Sequence, residues 1–185
     1  MKQHIFPALR LTAVCLVIFC GLYSLLVLGI AQFAPAKGEG ETVSVNGKVV
    51  GYTLEGQSFT ADRYFNGRPS AAAYNAAGSS GSNKGPSNPA YLRTVQDRID
   101  SFIVHNPTVK KESIPADLVT ASGSGLDPDI SVEAALVQTD RIAGSRNIPV
   151  ATVKNLIEKS THYSSFNGIR KINVLAINIQ LDKIK

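Results

Sequence analysis

Hydrophobic and polar residues follow three regimes along the chain. From Leu11 to Phe33 the sequence reads LTAVCLVIFCGLYSLLVLGIAQF, 23 residues without a charge. At helical rise this reaches about 35 Å, enough to cross the hydrocarbon core of a bilayer. Ala34-Pro35-Ala36, after a basic start, has the small-x-small form of a signal-peptide cleavage site. A signal core is only about 7–15 residues long, however, so an uncleaved transmembrane anchor is predicted. Residues 1–10 then form a short leading segment, 34–41 (APAKGEGE) a polar tether, and 42–185 a soluble domain.

In that domain, Val43-Ser44-Val45 and Lys48-Val49-Val50 flank Asn46-Gly47 and predict a hairpin, because Asn-Gly readily adopts the positive φ of a tight turn. Val50-Gly51-Tyr52 matches a fragment of a potassium selectivity filter. A filter needs several membrane helices around a pore, and one apolar run is present. Between Ala71 and Asn88 the composition turns to Ala, Gly, Ser and Asn, which suggests a linker, yet its Asn and Pro punctuation specifies turns. Asn88-Pro89 caps and starts a helix carrying Leu92, Val95, Ile99, Phe102 and Ile103 on one stripe, up to Asn106-Pro107. A second helix is predicted from Ser131 to Gly144 and a third from Pro149 to about Ser160. The run from Ile172 to Leu181 reads as a strand, with Leu175, Ile177, Ile179 and Leu181 on one face. Strands first, helices next and a strand last predict a small α+β domain behind a single membrane helix.

Composition changes this picture little. The 185 residues are 44% hydrophobic and 18% charged, with net charge +5. Beyond residue 36 the balance is 17 basic against 14 acidic residues, scattered without a basic block or interleaved aromatics, which disfavours a nucleic-acid groove. Cys15 and Cys20 both lie in the apolar run, so the domain has neither a disulfide framework nor a cysteine zinc site. Flanking basic residues tie at two on each side of the span. Arg10, abutting the run, and the free amino group tilt the reading to a cytoplasmic N-terminus and an outer, periplasmic domain.

Catalytic constellations are missing. His4, His105 and His162 are isolated, and no metal cluster is visible. The stretch from Gly78 to Gly85 fails as a P-loop, and Gly123-Ser124-Gly125 lacks the third glycine of GxGxxG. No GxSxG elbow and no Asp-Lys-Thr-Gly phosphorylation site occur. Asp127 and Asp129 lack the further acid and glycine spacing of an EF-hand. What remains is VTASGSGLDPDIS from Val119 to Ser131, a hydroxyl- and glycine-rich turn feeding a helix. Such a turn either closes on itself to cap the helix or aims successive amides at an anion.

At these residues the chain resembles the KdpC family, the C subunits of bacterial high-affinity potassium-transporting P-type ATPases. The resemblance runs through the N-terminal membrane helix, Gly56-Gln57 with Phe59, and Tyr64-Phe65-Asn66-Gly67-Arg68-Pro69-Ser70-Ala71. It continues through Gly81-Ser82-Asn83, Gly85 to Pro89, Thr120 to Ser131, Gln138 with Arg141, and Asn173 to Ala176. Asp129 and Lys84 depart from the family pattern, which often has His and an apolar residue there.

The resemblance implies a noncatalytic subunit of an inner-membrane complex. Its partners would be a potassium-conducting subunit, an ATP-hydrolysing subunit and a small membrane subunit. ATP and potassium are then handled by the complex, and no cofactor or metal is assigned to this chain. The resemblance also implies a role as catalytic chaperone, raising the ATP affinity of the hydrolysing subunit, with Ser122, Gly123, Ser124 and Gly125 as a nucleotide-binding run. Candidate partner contacts are Arg68, Ser82, Asn83, Asn88, Asp127, Gln138 and Arg141. The alternative reading is a free-standing, membrane-anchored envelope enzyme or ligand-binding module.

Overall fold

The computed structural model describes residues 2–164 and 168–184. Residues up to Glu41 and residues from Thr42 onward form two separate compact units. In the first, helix α1 (Lys2–Cys15) passes through a π-helical stretch (Leu16–Leu22) into α2 (Tyr23–Ala31). The Tyr23 N–H reaches back five residues to the Ile18 carbonyl, and the Ser24 hydroxyl donates to the Phe19 carbonyl at 3.4 Å, so the wider π turn is held by i−5 bonds. Gln3–Ala31 is long and apolar enough to span a membrane.

The second unit is mixed α+β. Strands β1 (Thr42–Val45) and β2 (Lys48–Tyr52) form an antiparallel hairpin closed by Asn46 (φ 52°) and Gly47 (φ 76°). That pair of positive angles is what a two-residue turn of primed type requires. The helix expected after Asn88 is α3 (Pro89–His105); the Asn88 side chain accepts from the Tyr91 N–H at 3.0 Å. A three-stranded antiparallel sheet follows in the order β3 (Asp129–Ser131), β5 (Arg170–Asn173), β4 (His162–Tyr163). Ile130 and Ile172 pair across it and are buried with Ala134, Ile142, Val153, Ile157, Ile177 and Leu181.

Two expectations are corrected. The apolar run from Ile172 to Leu181 is not one strand: β5 stops at Asn173, and α7 (Val174–Asp182) begins there. The Asn173 side chain accepts from the Ala176 N–H at 2.9 Å, a helix cap inside an apolar run. The buried positions 174, 177, 178 and 181 recur at helical spacing. Apolar residues on most sides of a buried helix also satisfy an alternating pattern, which is why periodicity alone misassigned the segment. The helix expected from Ser131 to Gly144 is divided into α4 (Val132–Leu136) and α5 (Thr139–Arg146). Ser131 caps α4, as its sequence position predicted. The third expected helix, α6 (Val150–Ser160), lies where the sequence places it and buries Val153, Leu156 and Ile157.

Candidate functional site

The segment from Asp62 to Ser70 has almost no regular secondary structure, so its backbone groups need side-chain partners. Four side chains supply them from Asp62 to Asn66. Phe65, fully buried, donates its N–H to Asn178 Oδ1 at 2.9 Å and accepts from Asn178 Nδ2 at 3.0 Å. Asn66 makes the same reciprocal pair with the buried Gln138, at 2.8 and 3.3 Å. Each carboxamide thereby stands in for a neighbouring strand. Arg141, its side chain 4% exposed, donates to the carbonyls of Asp62 and Tyr64 and to Asn106, Asn66 and Gln138. Arg146 donates to the carbonyls of Arg63 and Leu181 and pairs with Asp182 at 2.7 Å, while its guanidinium lies over the Tyr64 ring. Burial pushes the Arg141 guanidinium below its ordinary value, with Asp62 opposing the shift.

A second cluster joins the glycine- and serine-rich stretches. Gly125 has φ +71°, and a Cβ there would stand 2.7 Å from the Ser80 carbonyl oxygen. A Cβ on Gly81 would meet the Gly123 carbonyl at 2.9 Å. These backbones approach closely because glycine allows it. Ser70 Oγ donates to the Gly125 carbonyl at 2.6 Å and accepts from the Tyr74 N–H; Ser79 Oγ donates to the Ser124 carbonyl at 2.9 Å. Arg68 pairs with Asp127 at 2.9 Å. The Tyr74 hydroxyl donates to the Arg68 carbonyl, and burial followed by the nearby Asp127 carboxylate pushes that phenol above its ordinary range against the pull of Arg68.

The residues singled out in the sequence therefore fall into different settings. Ser122 is buried; its hydroxyl accepts from the Gly125 N–H at 3.0 Å, while Ser124 Oγ accepts from the Leu126 N–H and the Ser122 N–H goes to the Pro69 carbonyl. Two amides of the candidate nucleotide turn, those of Ser122 and Gly125, and the Leu126 amide just after it are thus used inside the chain. Arg68 and Asp127 are half-buried partners of each other, and Gln138 and Arg141 lie in the internal clamp. Asn88 serves α3 as its cap, Ser82 is half-buried, and Asn83 is exposed with φ 52°.

Asn178 and Arg146 had no sequence signal, since the backbone groups they hold, at Phe65 and Arg63, are far away in the chain; Tyr74, which holds the Arg68 carbonyl, had none either. Against α3, an open cleft of about 460 Å³ is lined by Phe59, Asp62, Arg98, Phe102 and Leu118, with His105 Nδ1 2.8 Å from Asp62 Oδ1 at its side. Among the described residues no group of three or more His, Cys, Asp or Glu side chains could hold a metal.

The whole chain has close counterparts. A protein of Flavobacterium psychrophilum called potassium-transporting ATPase KdpC subunit is 54% identical over 183 residues, covering 99% of this chain and 100% of its own length. Proteins of the same name from Phocaeicola vulgatus and Janthinobacterium are 47% and 44% identical over 190 residues, and each is covered over its full length. The profile described as KdpC: K+-transporting ATPase, c chain, matches residues 5–183, from within the apolar helix to the end of α7. With the signature blocks now seen to build the internal clamp and the glycine contacts of one domain, the chain belongs to the KdpC family, the C chains of the K+-transporting ATPase.

Proposed function

We propose that this chain is a noncatalytic, single-pass subunit that assembles and stabilises an ATP-driven potassium-uptake complex. The observation that carries this reading is the use of polar side chains. Asn66, Gln138, Arg141 and Asn173 of the signature blocks, with Asn178 and Arg146 outside them, hold the chain's own backbone. The reading assigns potassium conduction and ATP hydrolysis to the partner subunits. Arg10 beside the span supports a cytoplasmic N-terminus and a domain on the outer side of the inner membrane. With ATP on the inner side, any rise in the ATP affinity of the hydrolysing subunit is transmitted through the complex. The self-closed turn from Ser122 to Leu126 supports an indirect effect.

Two measurements test the reading. Under potassium starvation the native chain is expected to co-purify in detergent with large membrane ATPase subunits; a lone chain would contradict it. Lys84→Cys in a Cys15→Ser, Cys20→Ser background gives one exposed reporter. A membrane-impermeant maleimide should label it in intact spheroplasts. Labelling only after lysis would reverse the orientation and reopen direct contact with ATP.

A further inference from the structure

The β1–β2 hairpin has one side covered and one side bare. Residues opposite each other across a ladder share a face, so Thr42 with Tyr52 and Ser44 with Val49 lie together. All four are exposed and uncharged; Val49 is 62% exposed, and Leu54, just past β2, 78%. On the other side Val45 and Val50 border a gap of about 240 Å³ shared with Leu175 and Ile179 of α7.

The two edges also differ. Along β2, Gln57 Nε2 donates to the Val50 carbonyl at 3.0 Å, and just beyond it Asn173 Nδ2 donates to the Thr53 carbonyl at 2.8 Å. Along β1, Val45 and Lys48 close the two-residue turn, so Val43 and Val45 aim their N–H and C=O groups at β2 while Thr42 and Ser44 aim theirs away. Among the described residues no hydrogen-bond partner reaches the N–H of Thr42 or Ser44. An open edge of this kind is a template for another strand; β1, TVSV, is short and its ladder is bulged between Val43 and Ser44, but it carries neither charge nor proline. A two-stranded sheet is marginal alone and gains from a third strand.

We propose that an extended segment of a partner subunit adds to the free edge of β1, with Val49, Tyr52 and Leu54 packing beside it. The inference rests on the reading of this chain as a subunit of a membrane complex. An extended polypeptide supplies the alternating donors and acceptors that the edge of Thr42 and Ser44 needs. A lipid surface supplies no such ladder.

The test uses the full chain expressed with its partner subunits. The photo-crosslinking residue p-benzoylphenylalanine is placed at Ser44 or Val49, with the exposed Lys159 on α6 as control. Positions 44 and 49 should form an adduct with one partner subunit, and position 159 none. Ser44→Pro removes the outward N–H and should lower the yield of purified complex roughly tenfold. Ser44→Ala keeps that N–H and should leave the yield unchanged. If Ser44→Pro also lowers the melting temperature of the isolated chain, the crosslinking result decides. Adducts only with lipid or with a second copy, or no adduct in an intact complex, would overturn strand addition and leave the subunit reading standing. A chain that purifies alone would overturn both.

Discussion

At the scale of single residues, Gly123 and Gly125 look equivalent in sequence and are not equivalent in the fold. Gly125 has positive φ and faces the Ser80 carbonyl, whereas nothing lies within 4 Å of a Cβ on Gly123. Gly125→Ala should therefore cost about 1–3 kcal/mol in denaturant unfolding, and Gly123→Ala less than about 0.5 kcal/mol. Arg141→Met should be more severe, about 3 kcal/mol, because it strands the half-buried Tyr64 carbonyl together with the side-chain amide oxygens of Asn66, Asn106 and Gln138. Tyr74 gives a pH signature. Its phenol ionises at higher pH folded than unfolded, so its contribution is intact below the unfolded pKa of about 10 and is lost as pH rises through the folded value. Stability measured across alkaline pH should fall more steeply for the native chain than for Tyr74→Phe. None of these distinctions is legible in the sequence, because each depends on a carbonyl or carboxylate brought in from another part of the chain.

At the scale of elements, the hairpin, α3 and α6 were legible, since each has a local signal at its boundary. Asn46-Gly47 has the turn's positive angles, Asn88-Pro89 starts α3, and Pro149 precedes α6. The β5–α7 junction was not legible. Asn173 caps α7 and also donates to the Thr53 carbonyl, so one residue fixes both the change of structure and the attachment of the chain after β2. Asn173→Ala should cost about 1–2 kcal/mol, while Asn173→Asp, which keeps the capping oxygen, should recover part of the loss. Circular dichroism should show a smaller helical loss for Asp than for Ala. The division between α4 and α5 has the same kind of cause: Gln138 sits at the junction with its side chain committed to Asn66.

At the scale of the whole molecule, the turn from Ser122 to Leu126 commits the Ser122, Gly125 and Leu126 amides to acceptors inside the chain. Addition of ATP should leave the melting temperature of the isolated full chain unchanged, whereas direct binding would raise it with concentration. Removing the chain from the assembled transporter should raise the KM for ATP of the remaining subunits if the coupling is indirect. The sequence by itself determined the apolar helix, the α+β class, the hairpin turn and the family, because these rest on local composition, short-range geometry and ordered blocks. Only the tertiary structure decided what the blocks do. It turned Gln138 and Arg141 inward, joined Gly81 and Gly125 to distant backbone, and left the β1 edge open. The physical reason is that polar groups and glycines far apart in sequence acquire their roles only when a particular carbonyl, carboxylate or bare backbone edge is placed beside them.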